Sequence, residues 1–214
     1  MRSYGDPCGI ARALDLVGER WALLVVRELL LGPKRFTDLR AGLPHLGPDI
    51  LSQRLRELEQ SGVVRRDQLP PPAASRVYEL TEWGRELEPV VLGLGRWGSR
   101  APFPADHGAL GVDALMLALK TLYDPGRADG LTGASFEVRL AGRPFDVRPT
   151  DRHLDVSRGA APAPVAVIDA DPEALQSVLW HGRKLSDARS AGAITIDGER
   201  RAAERLLRAF PLPV

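Results

Sequence analysis

The sequence predicts an α+β protein of two domains: a mainly helical first half carrying a two-stranded hairpin, and a second half with a mainly antiparallel sheet. Three observations predict it. Apolar residues recur at helical spacing from about residue 6 to residue 99, interrupted by one short strand pair. Ala101-Pro102-Phe103-Pro104 then breaks that pattern. Beyond it, short alternating segments are interleaved with helical ones. The expected division is 1–100 for the first domain, 101–105 for a linker and 106–214 for the second domain. A chain of 214 residues has room for two small domains.

In the first half, Asp6-Pro7 is a helix start, and Ile10, Ala13, Leu14 and Val17 mark one apolar face before Gly18. Glu19 to Leu31 is apolar nearly all round (Trp21, Leu23, Leu24, Val25, Val26, Leu29, Leu30), which predicts the buried centre of the domain. Gly32-Pro33 stops it. Thr37 is placed to cap a brief helix through Ala41, with Phe36 and Leu39 inward. A turn rich in Gly and Pro follows, then a helix from Pro48 to Ser61 closed by Gly62. Val63 to Leu69 and Arg76 to Leu80 read as strands around the loop 70–75. Thr81 is placed to cap a long helix to about Arg100, with Leu87, Val90, Val91, Leu94 and Trp97 along one side.

In the second half the expected elements are a helix at 106–123 and strands at 136–140, 145–148, 153–156 and 165–169. Helices at 172–180 and 185–191, a strand at 193–196 and a helix at 199–210 complete it.

Composition bounds the function. The single cysteine, Cys8, excludes an internal disulfide framework and a Cys-rich zinc site, and fits a reducing cytoplasm. No apolar run approaches the roughly 20 residues of a membrane span, and the N-terminus lacks a signal peptide's apolar region, so a cytoplasmic protein with no membrane association is expected. Basic and acidic residues nearly cancel, 29 against 28, which argues against a polybasic arm or an acidic tail. The local balance differs. Between residues 34 and 76, Lys34, Arg35, Arg40, Arg54, Arg56, Arg65, Arg66 and Arg76 outnumber Asp38, Asp49, Glu57, Glu59 and Asp67.

Helix, helix, short helix, tight turn, helix and hairpin is the order of a winged helix-turn-helix, with 48–61 as recognition helix. At 100° per residue, Leu51, Leu55 and Leu58 fall within about 60° of one another and form the buried seam. Asp49, Gln53, Arg56 and Gln60 lie on the opposite side, and Ser52 and Arg54 flank the seam. An amide and a guanidinium suit base edges: Gln pairs with adenine, Arg with guanine. Lys34, Arg35 and Thr37 at the entry to the motif, and Arg65 and Arg76 at the hairpin base, are candidate backbone contacts. The partner expected is double-stranded DNA.

The run from Cys8 to Trp21 resembles the opening of HxlR-type bacterial transcriptional regulators. So do Leu30-Leu-Gly-Pro-Lys-Arg-Phe-Thr-Asp-Leu39, Leu51-Ser-Gln-Arg-Leu-Arg-Glu-Leu-Glu59, Ser61-Gly-Val-Val64 and Tyr78-Glu-Leu-Thr-Glu-Trp-Gly84. The matches keep the family's order over residues 8 to about 99, with Gly9 where the family commonly has Pro. The resemblance implies a homodimer on a short inverted repeat. Surplus apolar surface on the helix bearing Leu87, Val90, Val91, Leu94 and Trp97 points the same way. The family's N-terminal cysteine makes Cys8 a candidate oxidant or electrophile sensor; a small buried hydrophobe is the alternative.

The second half shows no catalytic set, so a non-enzyme without cofactor or metal is expected. His107, His153 and His181 lack HxH or HExxH spacing. Ser157 and Ser186 lack a GxSxG context, and Asp169-Ala-Asp-Pro172 reads as strand end plus helix cap. Its strands, a helix entered through Asp-Pro, a short helix before Ala191-Gly192, a strand ending in Gly198 and a last helix resemble the sterol-carrier-protein lipid-binding fold over about 107–210. That resemblance implies an apolar cavity for a hydrophobic small molecule, with Phe136, Val138, Val167, Leu175, Leu179, Trp180, Leu206 and Leu207 as candidate walls. The same residues could instead fill the closed core of an interaction module.

Overall fold

The computed structural model describes residues 3–68, 74–102 and 110–213. Leu69 to Ala73 in the hairpin loop, Phe103 to Ala105 of the expected linker, and His107 with the start of the helix expected at 106 lie outside the described residues. The chain forms two compact units, Met1–Val91 and Leu92–Val214.

In the first unit, α1 (Gly9–Val17) begins two residues later than the Asp6-Pro7 signal. Asp6 Oδ1 instead accepts the Cys8 N–H at 2.8 Å, turning the chain into the helix. Of the apolar face of α1, Val17 alone is buried, while Ile10 is 73% and Leu14 42% exposed. The central helix α2 (Ala22–Leu29) starts at Ala22, not Glu19, because Trp21 sits at φ 78°, outside helical space. It buries Ala22, Val25, Val26 and Leu29 to 2% exposure or less, while Leu24 remains exposed on its other side.

Next, α3 (Phe36–Gly42) is capped by Asp38, whose carboxylate accepts the Arg35 N–H at 3.3 Å. Thr37, expected as the cap, lies inside the first turn. Then α4 (Pro48–Gln60) opens with Pro at its first turn, as predicted, and packs Leu51, Leu55 and Leu58 into the core at 1% exposure or less.

The wing pairs β1 (Val64–Gln68) with β2 (Arg76–Leu80) antiparallel, Val64 opposite Leu80 and Gln68 opposite Arg76. Tyr78 also exchanges both backbone hydrogen bonds with Lys34, tying the hairpin to the entry of α3. The long helix expected from Thr81 is broken into α5 (Glu82–Arg85) and α6 (Glu88–Gly98). Thr81 Oγ1 caps α5 through the Gly84 N–H at 3.0 Å. A Cβ on Gly84 would come within 2.1 Å of the Val63 carbonyl, which explains a glycine at this point of the strand-to-helix junction. The boundary between the units falls inside α6.

In the second unit, α7 (Val112–Leu122) precedes β3 (Phe136–Leu140), β4 (Arg143–Pro149), β5 (Leu154–Arg158) and β6 (Ala166–Ala170). Two helices, α8 (Pro172–Trp180) and α9 (Leu185–Ser190), then β7 (Ile194–Gly198) and α10 (Arg200–Leu207), complete it. The sheet order is β5-β4-β3-β6-β7; β3 and β6 are parallel and the other pairs antiparallel. Asp171 caps α8 by accepting the Ala174 N–H at 2.9 Å, as the Asp-Pro pair predicted.

One sheet face carries Phe136, Val138, Leu140, Phe145, Val147, Ala166, Ile168 and Ala170, all buried. The helices α7 and α10 pack against this sheet, on β5 and β6 respectively. Asp113, 4% exposed at the start of α7, pairs with Arg158 of β5 at 2.7 Å, and the Arg158 guanidinium lies 6.0 Å from the Phe145 ring centre. Tyr123 donates to the Thr150 carbonyl at 2.9 Å; burial, with the nearby Asp151 and Asp124 charges, pushes its hydroxyl pKa up.

Candidate nucleic-acid interface

The exposed side of α4 carries the residues expected on it. With the leucine seam anchored, Asp49, Gln53, Arg56 and Gln60 are exposed and Ser52 is half-buried. Arg35 and Thr37 are exposed at the start of α3, and Arg65 and Arg76 are exposed on the wing. The Arg56 and Arg76 side chains make no hydrogen bond or ion pair among the described residues. Arg65 is held at 2.6 Å by Glu79, and Arg66 bonds Glu59 at 3.1 Å while its guanidinium lies 5.6 Å from the Tyr78 ring centre.

Two expected contacts are corrected. Lys34 is 6% exposed and paired with Glu28, itself 2% exposed at the end of α2, so its ammonium is spent inside the fold. Arg27 bonds the other Glu28 oxygen at 2.8 Å. Gly42 makes this possible, because a Cβ there would lie 2.2 Å from Glu28 Oε2. Arg54 is 7% exposed. Its Nη1 lies 2.7 Å from Glu57 Oε2 and 3.4 Å from Glu19 Oε2, so it braces the helix rather than facing solvent. The positive surface therefore rests on Arg35, Arg40, Arg56, Arg65, Arg66 and Arg76, each exposed.

Glu57 was not singled out by sequence reasoning. It accepts the Gln53 Nε2 at 3.0 Å and meets Arg54 with its other oxygen. The four-residue spacing of Gln53 and Glu57 on one helix was the available signal.

Cys8 is exposed, which excludes the reading as a small buried hydrophobe. The candidate walls of a lipid cavity do not come together. Phe136, Val138, Leu175 and Leu206 are closed into the core at 3% exposure or less. Val167 points to the opposite sheet face, because Ala166 and Ile168 are the residues paired with Phe136 and Val138. Trp180 is half-buried and its Nε1 donates to the Phe210 carbonyl at 3.0 Å. Leu179 and Leu207 do share a cleft, open to solvent and about 520 Å³, with Arg127, Val178, Arg208, Phe210 and Pro211.

A helix-turn-helix with an exposed polar recognition face and a β-hairpin wing defines a winged helix-turn-helix. Residues 16–104 match the HxlR-like helix-turn-helix family. The uncharacterized HTH-type transcriptional regulator YvaP of Bacillus subtilis (strain 168) is 40% identical over 88 residues, spanning 41% of this chain and 82% of that protein. The HTH-type transcriptional regulator YodB of the same organism is 36% identical over 94 residues, 44% of this chain and 84% of that protein. A third, the uncharacterized regulator sll1512 of Synechocystis sp., is 38% identical over 95 residues, 44% of this chain and 70% of that protein. The chain belongs to the HxlR-like family through its first unit.

Proposed function

We propose that the protein is a transcriptional regulator that binds double-stranded operator DNA as a homodimer. In this reading α4 enters the major groove, Gln53 and Arg56 meet base edges, and Arg35, Arg65 and Arg76 contact the phosphate backbone. The observation that carries it is the exposed Gln53–Arg56 face on a helix fixed by its leucine seam. Family membership of the first unit supports it. Arg56→Ala should weaken binding to the selected operator by about 1–3 kcal/mol and relax preference at one position. Arg76→Ala should weaken operator and random DNA alike and flatten the salt dependence. Both are read by titrating labelled duplexes at several salt concentrations. An equal loss on both DNAs for Arg56→Ala would reassign it to the backbone, and an unchanged salt slope would remove Arg76.

The dimer reading rests on exposed apolar side chains. Ala13, Leu16, Val17, Val63, Trp83 and Leu87 line an apolar groove of about 210 Å³ in the first unit. Ile10 and Leu14 are exposed on α1, and Val90, Leu94 and Trp97 are exposed along α6. A second copy covering the apolar groove of the first unit would set two recognition helices about one DNA turn apart.

The second unit takes a hydrophobic small molecule in this reading, at the cleft shared by Leu179 and Leu207. Its order of elements, including the Asp171 cap, the α9 helix before Ala191-Gly192 and the β7 strand ending at Gly198, supports the sterol-carrier-like resemblance. A ligand favouring one state by about 1–3 kcal/mol would change DNA affinity roughly 5–150-fold. Native mass spectrometry of the purified full chain tests this. A bound apolar molecule supports it; a bare chain favours the closed interaction module, which the buried Phe136 and Val138 also favour.

A second reading concerns Cys8, whose exposure leaves the thiol open to oxidants and electrophiles. Diamide should then change DNA binding in the full chain and leave the Cys8→Ser variant unaffected. An identical response in both would dismiss a sensing role.

A further inference from the structure

We infer that Glu57 determines which base Gln53 reads, by fixing the orientation of its amide; this rests on α4 acting as the recognition helix. The glutamate carboxylate has two engaged oxygens. Oε1 accepts from Gln53 Nε2 at 3.0 Å and Oε2 meets Arg54 Nη1 at 2.7 Å. Arg54 is itself 7% exposed and 3.4 Å from Glu19 in the connection between α1 and α2, and it meets both carboxylates as ion pairs without hydrogen-bond geometry at Nη1. The order is therefore Glu19, Arg54, Glu57, Gln53: a side chain anchored inside the unit holds one that is exposed.

The chemistry of the last link sets the base. An ionised carboxylate accepts hydrogen bonds and donates none, so the Gln53 amide can approach Glu57 only through its NH₂ group. A flipped amide would set carbonyl oxygen against carboxylate oxygen. One of the two amide hydrogens is consumed by Glu57. The free set is one N–H donor and one carbonyl acceptor, side by side. Adenine presents the matching pair in the major groove, N7 as acceptor and the N6 amino group as donor. Guanine presents two acceptors, N7 and O6, and would need both amide hydrogens. Glu57 is thus a positioning residue: it touches no base, yet it removes the amide configuration that guanine requires. Arg54 contributes by balancing the Glu57 charge, so that a carboxylate can stand on a face directed at phosphates.

The test selects binding sites for the purified full chain from a random duplex library, for wild type, Gln53→Ala, Glu57→Ala and Glu57→Gln, with folding checked by circular dichroism. Wild type should show a position preferring adenine over guanine, lost in Gln53→Ala. Glu57→Ala should lower that adenine-over-guanine ratio by about five- to tenfold at that same position while other positions keep their preferences. Glu57→Gln keeps the shape, lets the amide stand either way round, and should lower the ratio in the same direction. An unchanged ratio in both Glu57 variants overturns the inference while the DNA-binding reading stands, as does a Gln53→Ala variant that alters no position. If wild type selects no sequence, the DNA-binding reading fails and this inference falls with it.

Discussion

Glu28→Ala should destabilise the first unit by about 3–5 kcal/mol, and Lys34→Ala should do so to a smaller extent. The reason is the pair's depth: Glu28 is 2% and Lys34 6% exposed, and removing either leaves the other charge buried without its main counter-ion. Arg27 would remain on one oxygen of Glu28 in the Lys34 variant, so that variant should be the milder of the two. Urea unfolding of the full chain, followed by hydrogen exchange of the α2 amides, measures both. The double change Glu28→Leu with Lys34→Met should recover most of the loss, since apolar replacement of a buried ion pair is often neutral. Single changes costing under about 1 kcal/mol would show that water reaches the pair. The same experiment separates Lys34 from DNA contact. A phosphate-gripping lysine would lose affinity with little change in stability.

Phe136→Ala should cost the second unit about 3–5 kcal/mol. The ring is fully buried on the central strand β3, opposite Val147 on one side and Ala166 on the other. Deleting it leaves a void that α7 and α10, packed on the sheet, can close only in part. The prediction also bears on the ligand question. A ring lining an occupied cavity would be replaceable at small cost, with a larger apolar ligand then accepted. Unfolding of the full chain with and without added apolar ligand distinguishes the two. A loss under about 1 kcal/mol would place Phe136 at a cavity wall.

The two units were legible in the sequence to different depths. Helix α4 was legible almost residue by residue, because a leucine seam, a proline start and a glycine stop agree with one another. The burial of Lys34 was not readable. Its partner lies six residues earlier on another helix, and the space for that partner depends on Gly42 having no side chain. Periodicity located an apolar face on α1 but not what covers it, and Ile10 and Leu14 on that face are exposed. The break between α5 and α6 at Glu86-Leu87 did carry a signal, Pro89 at the start of α6, which has no N–H to continue a helix from Arg85; the expectation of one helix from Thr81 passed over it. In β6 the run Ala166-Val-Ile-Asp-Ala170 is apolar on both parities near its start. Only the register with β3 decides that Ala166 and Ile168, not Val167, join Phe136 and Val138.

Four tryptophans occur in the chain, and their surroundings differ enough to make the protein its own fluorescent reporter. Trp97 is 72% and Trp83 49% exposed, whereas Trp21 and Trp180 are half-buried. Indole emission moves to shorter wavelength when water leaves the ring. If α6 is covered by a second copy, concentrating the full chain should blue-shift the emission of Trp97, with the midpoint giving the dimer constant. A Trp97→Phe variant would lose most of that signal. Emission that stays constant across concentrations, with a monomeric mass, would mean that the stripe on α6 faces solvent in the working protein.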